Sequence, residues 1–262
     1  MGSVSCSLDV GFHGSVATVT LSHPGKLNAM SRSMWQQLRQ VFEAIQQDAS
    51  IRCVLIHGEE GHFCAGGDIS EYASFRFEEA SLRDFHESDV WGGLQAMLDC
   101  DVPIVARIQG TCMGAGLEIA SCCDLRVATP SARFGAPIAK LGFPMAPREA
   151  ALVCGAVGEL TAREMLLAAS VLDAQEMKQR GFLNSVVAEV DIHQATQSSL
   201  ERMRALAPGA ARLNKQTFRA LRQQIRPPPA IDLIANAYRY ANTAEHREGV
   251  TAFVEKRPPQ FL

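Results

Sequence analysis

Apolar and polar side chains alternate from Val16 to Leu21 (Val-Ala-Thr-Val-Thr-Leu), the two-residue repeat of a half-buried strand, and Ser22-His23-Pro24-Gly25 closes it as a turn. The repeat then lengthens. From Ser31, a side chain suited to cap a helix, Met34, Leu38, Val41, Phe42 and Ile45 recur at helical spacing, which predicts a helix to about Asp48. The apolar run from Cys53 to Ile56 predicts a buried strand, followed by a glycine-rich loop with Gly at 58, 61, 66 and 67. Asp68 is placed to cap a short helix, and Phe75 to Asp101 reads as mostly helical. Val102 to Ile108 is a further strand, closed by Gly110. A second glycine turn, Gly114-Ala115-Gly116, then opens a helix through Leu117, Ile119 and Ala120, and Leu125 to Ala128 returns as strand. Strand, turn and helix in repetition predict an α/β fold.

Beyond Pro144 the periodicity is helical, at about 146–156, 161–169, 173–180, 191–206, 209–224 and 230–242. A strand at Ser185 to Val190 interrupts it, and Pro227-Pro228-Pro229 is the clearest break. A helical tail on an α/β core is expected to serve packing or oligomerisation. The division is placed at residue 200, with 1–200 as core and 201–262 as tail.

A chain of 262 residues with 47% hydrophobic residues can bury a large core. Its 25 basic and 28 acidic residues create no global field that would attract nucleic acid or an anionic membrane, so an anionic ligand must be held by local groups. The eight cysteines lie mostly inside apolar runs without the CxxC pairing of zinc or redox sites, and read as small core side chains in a reduced, cytoplasmic setting. The first 20 residues show no leader pattern, and no apolar run approaches the roughly 18 residues that span a bilayer.

Each glycine turn follows a short strand and precedes a helix, so its last N–H groups lack intrahelical partners at the positive end of a helix dipole. Two such groups aimed at one oxygen would stabilise the charge that develops when a thioester becomes an enolate. Either cluster alone is also explained by the tight turn that glycine permits. Neither is a phosphate loop, because neither ends in Gly-Lys-Ser/Thr, and Gly114-Ala115-Gly116 lacks the rest of a dinucleotide fingerprint.

Three longer motifs occur in order: His23-Pro24-Gly25-Lys26-Leu27-Asn28-Ala29-Met30, Gly61-His62-Phe63-Cys64-Ala65-Gly66-Gly67-Asp68-Ile69, and Gly110-Thr111-Cys112-Met113-Gly114-Ala115-Gly116-Leu117-Glu118. Together with Phe134-Gly135-Ala136-Pro137, Leu141-Gly142-Phe143-Pro144 and Phe253-Val254-Glu255-Lys256-Arg257, they resemble the enoyl-CoA hydratase/isomerase (crotonase) family along essentially the whole chain. The resemblance implies a spiral of repeated ββα units with C-terminal helices that build a homotrimer or a dimer of trimers. It implies an acyl-CoA thioester as substrate and no separate cofactor, since coenzyme A arrives as part of the thioester.

By the same resemblance the backbone N–H groups of Gly67 and Ala115 form the oxyanion hole, with Gly66 and Gly114 beside them. Lys26, Leu27, Ala29, Ala65, Asp68 and Ile69 line the bent CoA, and Phe253 and Lys256 close over the CoA of a neighbouring subunit. Glu118, three residues after Ala115, projects from nearly the same helix face and is the expected proton carrier. Hydratases of this family pair that glutamate with a second one after the Phe-Gly-x-Pro segment, where this chain has Ile138. Ordinary hydration, which uses two carboxylates, is therefore put in question. Glu149 is the nearest downstream carboxylate and is expected on a helix surface. The expected activity is that of a lyase or isomerase acting through a thioester enolate. Decarboxylation of a malonyl-type CoA, or acyl-CoA binding without catalysis, stays open beside it.

Overall fold

The computed structural model describes residues 1–11, 14–225 and 238–260. Six strands form the main sheet, in the order β1 (Ser3–Gly11), β2 (Gly14–Ser22), β3 (Ile51–Gly58), β4 (Ile104–Ile108), β6 (Leu125–Ala128) and β9 (Ser185–Val186). Only the β1–β2 pair is antiparallel; the others run parallel through helical crossovers. A smaller sheet places β7 (Arg133–Gly135) between β5 (Thr111–Met113) and β8 (Val171–Asp173).

The two-residue repeat of the strands decides which side chains face which layer. Ala17, Val19 and Leu21 of β2, Val54 and Ile56 of β3, and Ile104, Ala106 and Ile108 of β4 join the main core. It is completed by α1 (Arg32–Gln47), which contributes Met34, Trp35, Leu38, Phe42 and Ile45, and by α3 (Trp91–Asp99). The alternate positions Val16, Cys53, Leu55, Val105 and Val127 face the opposite side. There α8 (Ile192–Arg204) covers them with Ile192 and Leu200. Both faces of β3 and β4 are thus buried, which is why these strands read as continuous apolar runs.

Ser31 caps α1, its side chain accepting the Met34 N–H at 3.3 Å. Between β3 and α3 lie a 3-10 turn at Ile69–Ser74, α2 (Glu79–Asp84) and a π-helical turn at Phe85–Val90. The remaining helices are α4 (Ala115–Cys122), α5 (Pro147–Val157), α6 (Glu159–Leu167), α7 (Ala174–Gln179), α9 (Pro208–Ile225) and α10 (Ala244–Val254). A 3-10 turn at Ile138–Leu141 links β7 to α5, and α10 packs back on it and on the 69–74 turn, with Val250 meeting Tyr72 and Phe143. No helix among the described residues is long and apolar enough to cross a membrane.

Several expectations shift. The strand expected at 185–190 pairs only at Ser185 and Val186 before a 3-10 turn at Glu189–Asp191. The triproline break at 227–229 and most of the helix expected at 230–242 fall outside the described residues; 239–242 forms a 3-10 turn. The strand β1 was not expected, although Ser3-Val4-Ser5-Cys6-Ser7-Leu8-Asp9-Val10 alternates as a strand should. Of the eight cysteines, all free, six are buried, Cys154 is half-buried and Cys6 is exposed.

Candidate active site

The first glycine loop leaves the carboxyl end of β3; the second glycine turn follows β5, into which the neighbouring parallel strand β4 leads through Gln109 and Gly110, so both lie beyond the carboxyl ends of β3 and β4, where open α/β sheets hold ligands. Backbone pairing lashes them together. The Cys64 N–H donates to Thr111 O at 2.8 Å, and the Met113 N–H donates to Cys64 O at 2.9 Å. Gly116 lets the first turn of α4 sit against this pairing, because a Cβ there would lie 2.4 Å from the Cys64 carbonyl oxygen. Gly66 adopts φ +119°, and a Cβ built on Gly114 would touch its Cα at 3.6 Å. The N–H groups of Gly67 and Ala115 have no acceptor among the described residues. Both residues line a cavity of about 300 Å³.

Glu118 follows on α4, its N–H closing on Gly114 O at 3.0 Å, and its side chain forms part of the same cavity wall at 9% exposure. Burial pushes its carboxyl up to about 8; the charge of Glu149 adds to the rise and that of Arg76 opposes it.

Glu149 is the main correction to the sequence reading. Expected on a helix surface, it is only 2% exposed, because the first turn of α5 points it inward. Its Oε1 lies 3.1 Å from Nδ1 of His86, on the π-helical turn. The His86 ring stacks on Tyr238 with centroids 5.4 Å apart, and its Nε2 is buried without a partner among the described residues. Burial lowers the His86 pKa, with Glu149 opposing, so the ring is held neutral. In the contact with Glu149, Nδ1 of His86 is the donor, which leaves a free lone pair at Nε2. His86 lines the cavity; Ile138 lines it too and presents only carbon.

Ala65, Gly66, Gly67, Ile69, Gly114, Ala115, Glu118, Ile138 and Phe253 therefore meet around one cavity. Lys26, Leu27, Ala29, Asp68 and Lys256 do not line it. Lys26 Nζ pairs with Asp68 at 2.6 Å and donates to Ser70 Oγ at 2.7 Å, while Asp68 caps the 69–74 turn by accepting the Ser70 N–H. Leu27 O accepts the Ala65 N–H at 3.0 Å, and Ala29 is buried. These residues brace the first loop. Lys256 lies exposed beyond α10 with φ +55°. Phe253, 54% exposed, lines the cavity of its own chain. Sequence reasoning missed Arg76, His86 and Glu149 as site residues, since Arg76 lies in a plain turn and the other two on short helical turns, and only tertiary packing decides that they face inward.

The family model described as Enoyl-CoA hydratase/isomerase matches residues 11–262. The chain is 31% identical over 253 residues to the 2,3-dehydroadipyl-CoA hydratase of Escherichia coli, with 94% of each chain covered. Among solved structures, an enoyl-CoA hydratase/carnithine racemase from Magnetospirillum magneticum superposes with a TM-score of 0.79 at 33% identity, covering 98% of this chain and 97% of that one. A methylmalonyl-CoA decarboxylase in complex with 2-nitronate-propionyl-CoA superposes at 0.85 with 22% identity over 99% and 98%, a likeness of fold alone. The motifs, the spiral α/β fold and a match along nearly the whole length agree: the chain belongs to the enoyl-CoA hydratase/isomerase family.

Proposed function

We propose that the protein turns over an acyl-CoA thioester through an enolate whose oxygen is held by the N–H groups of Gly67 and Ala115, with Glu118 carrying the proton. The observation that supports this best is the pair of acceptor-free N–H groups on adjoining turns, facing one cavity with a buried carboxyl. Preorganised donors of this kind cost no reorganisation as charge develops, and losing one such donor typically costs on the order of 100- to 1000-fold in rate. A carboxyl with its pKa near 8 can both take up and return a proton near neutral pH.

Ile138 withholds the second carboxylate of ordinary hydration. Where the reaction needs a second base, the Nε2 lone pair of His86, oriented by Glu149, supplies it from the cavity wall. On the same reading α9, which leaves Leu213, Phe218 and Leu221 exposed, is the face for association into trimers.

The test is incubation with crotonyl-, 3-enoyl- and methylmalonyl-CoA, followed by mass analysis for gain of water or loss of carbon dioxide and by chromatography for isomers. Glu118→Gln keeps shape and hydrogen bonding, so turnover of the productive thioester should fall about 100- to 10,000-fold with CoA affinity unchanged. Near-normal turnover by that variant refutes the role given to Glu118. Acyl-CoA binding with no turnover of any thioester leaves the protein as a binding module.

A further inference from the structure

Among the described residues, Arg76 is a buried cation without a counter-ion. It follows the 69–74 turn, is only 1% exposed, and lines the same cavity as Glu118. Its guanidinium carbon lies 4.1 Å from the ring centre of Tyr72 and 4.0 Å from that of Phe143, and the two rings, with centres 6.1 Å apart and planes inclined at 66°, meet it from directions roughly at right angles. The rings attract its charge, a weaker hold than oxygen acceptors give to its N–H groups. Nη2 donates to Tyr240 Oη at 3.2 Å, whereas Nε is buried with no acceptor. No carboxylate among the described residues comes within 4 Å of it, although Glu118 feels its charge.

A guanidinium stripped of water, packed against two rings and with its Nε short of an acceptor, is costly to bury unless an anion meets it. The fork of N–H donors fits a planar carboxylate in two parallel hydrogen bonds. We propose that Arg76 receives a carboxylate carried by the acyl group itself, so that the substrate class is dicarboxylic acyl-CoA thioesters. This rests on the acyl-CoA reading above. A phosphate of CoA is not the anion: with the thioester oxygen at Gly67 and Ala115, the whole pantetheine arm separates the phosphates from this cavity. Tyr72 and Phe143 fix the guanidinium, and Tyr240 takes one of its donors, so its position is set before the acyl group arrives.

The carboxylate could sit on the α carbon or at the far end of the acyl chain, and a binding experiment with matched pairs separates the two. Dissociation constants are measured by calorimetry for malonyl- against butyryl-CoA and for glutaryl- against hexanoyl-CoA, with mass analysis confirming that each thioester stays intact. Charge-assisted pairing to a desolvated guanidinium should favour the dicarboxylic member of at least one pair by about 10- to 100-fold. Preference in the first pair places the carboxylate at the α carbon, and preference in the second places it at the far end.

Arg76→Met, which keeps apolar contact with the two rings, should bring the favoured ratio to about one while hexanoyl-CoA binds within roughly 3-fold of wild type. Ratios near one for both pairs in the wild-type protein overturn the proposal without any variant. A wild-type preference that survives in Arg76→Met also overturns it. If hexanoyl- and butyryl-CoA bind and no preference appears, only the role of Arg76 fails. If no acyl-CoA binds, the acyl-CoA reading falls and this proposal with it.

Discussion

Glu118 is a carboxyl that folding removes from water, and the consequence can be read in stability as well as in rate. Its pKa rises from the ordinary 4.5 to about 8, first through burial and then through the charge of Glu149, with Arg76 opposing. A carboxyl whose pKa is raised by folding contributes stability that is fully present below about 4.5 and lost as pH rises through about 8. The neutral isostere in Glu118→Gln escapes that loss. Relative to wild type, the variant should therefore gain stability progressively from pH 5 to pH 9, by on the order of a few kcal/mol at most. Urea unfolding at pH 5, 7 and 9 measures the difference. A difference that does not change with pH would mean that Glu118 stays ionised in the folded protein. Glu118 was legible in the sequence because its spacing from Ala115 is local. Glu149 was not, because its partner His86 lies 63 positions away and a helix start does not reveal which side meets the core.

At the scale of elements, the site depends on how closely α4 approaches the first loop. Gly116 carries that approach, and its neighbour across the contact is backbone, the Cys64 carbonyl, which cannot swing aside as a side-chain end could. Gly116→Ala should push the first turn of α4, and with it the Ala115 N–H, away from Gly67. A misplacement of about 1 Å at a positioned group can cost roughly 100-fold, so turnover should fall by about that factor. Steady-state kinetics beside a thermal melt checks this; near-normal turnover in a folded variant would show that the two turns are not rigidly coupled. Other elements follow local rules. The Ser31 cap and the helical repeat behind it specify α1, and Asp68 caps its short turn as its side chain suggests. The strand β1 shows what periodicity alone can miss: it lies at the sheet edge with Leu8 and Val10 exposed, so its alternation does not mark a buried face.

For the whole molecule, the C-terminal helices are tied to the core by polar contacts at the end of α3. Asp101 accepts from Arg219 and Gln216 of α9, each at 2.7 Å, and from Gln46 of α1 at 3.2 Å. Nearby, Lys215 donates to Val102 O at 2.9 Å and pairs with Asp124 at 2.8 Å. Asp101 is largely buried while Arg219 keeps partial contact with water, so solvent screening trims the ion pair and the hydrogen bonds carry more of the effect. Asp101→Ala should cost about 2 kcal/mol and speed amide exchange in α9 well before the strands. Hydrogen exchange read by mass spectrometry locates the change; uniform exchange across sheet and helix would show that α9 unfolds only with the whole.

The sequence alone determined what depends on near neighbours. Strand and helix periods, caps, the two glycine turns and the order of motifs are written within spans short enough for one element to read, and they led to the α/β fold and to this family. Tertiary structure decided what depends on which helix faces converge. It drew Arg76, His86 and Glu149 to one cavity, brought Phe253 to its wall, and left Lys26 paired with Asp68 in the bracing loop. The physical reason is range. A backbone preference acts over a few residues, whereas the burial of a charge and the packing of a guanidinium against two rings exist only once segments distant in sequence have packed together.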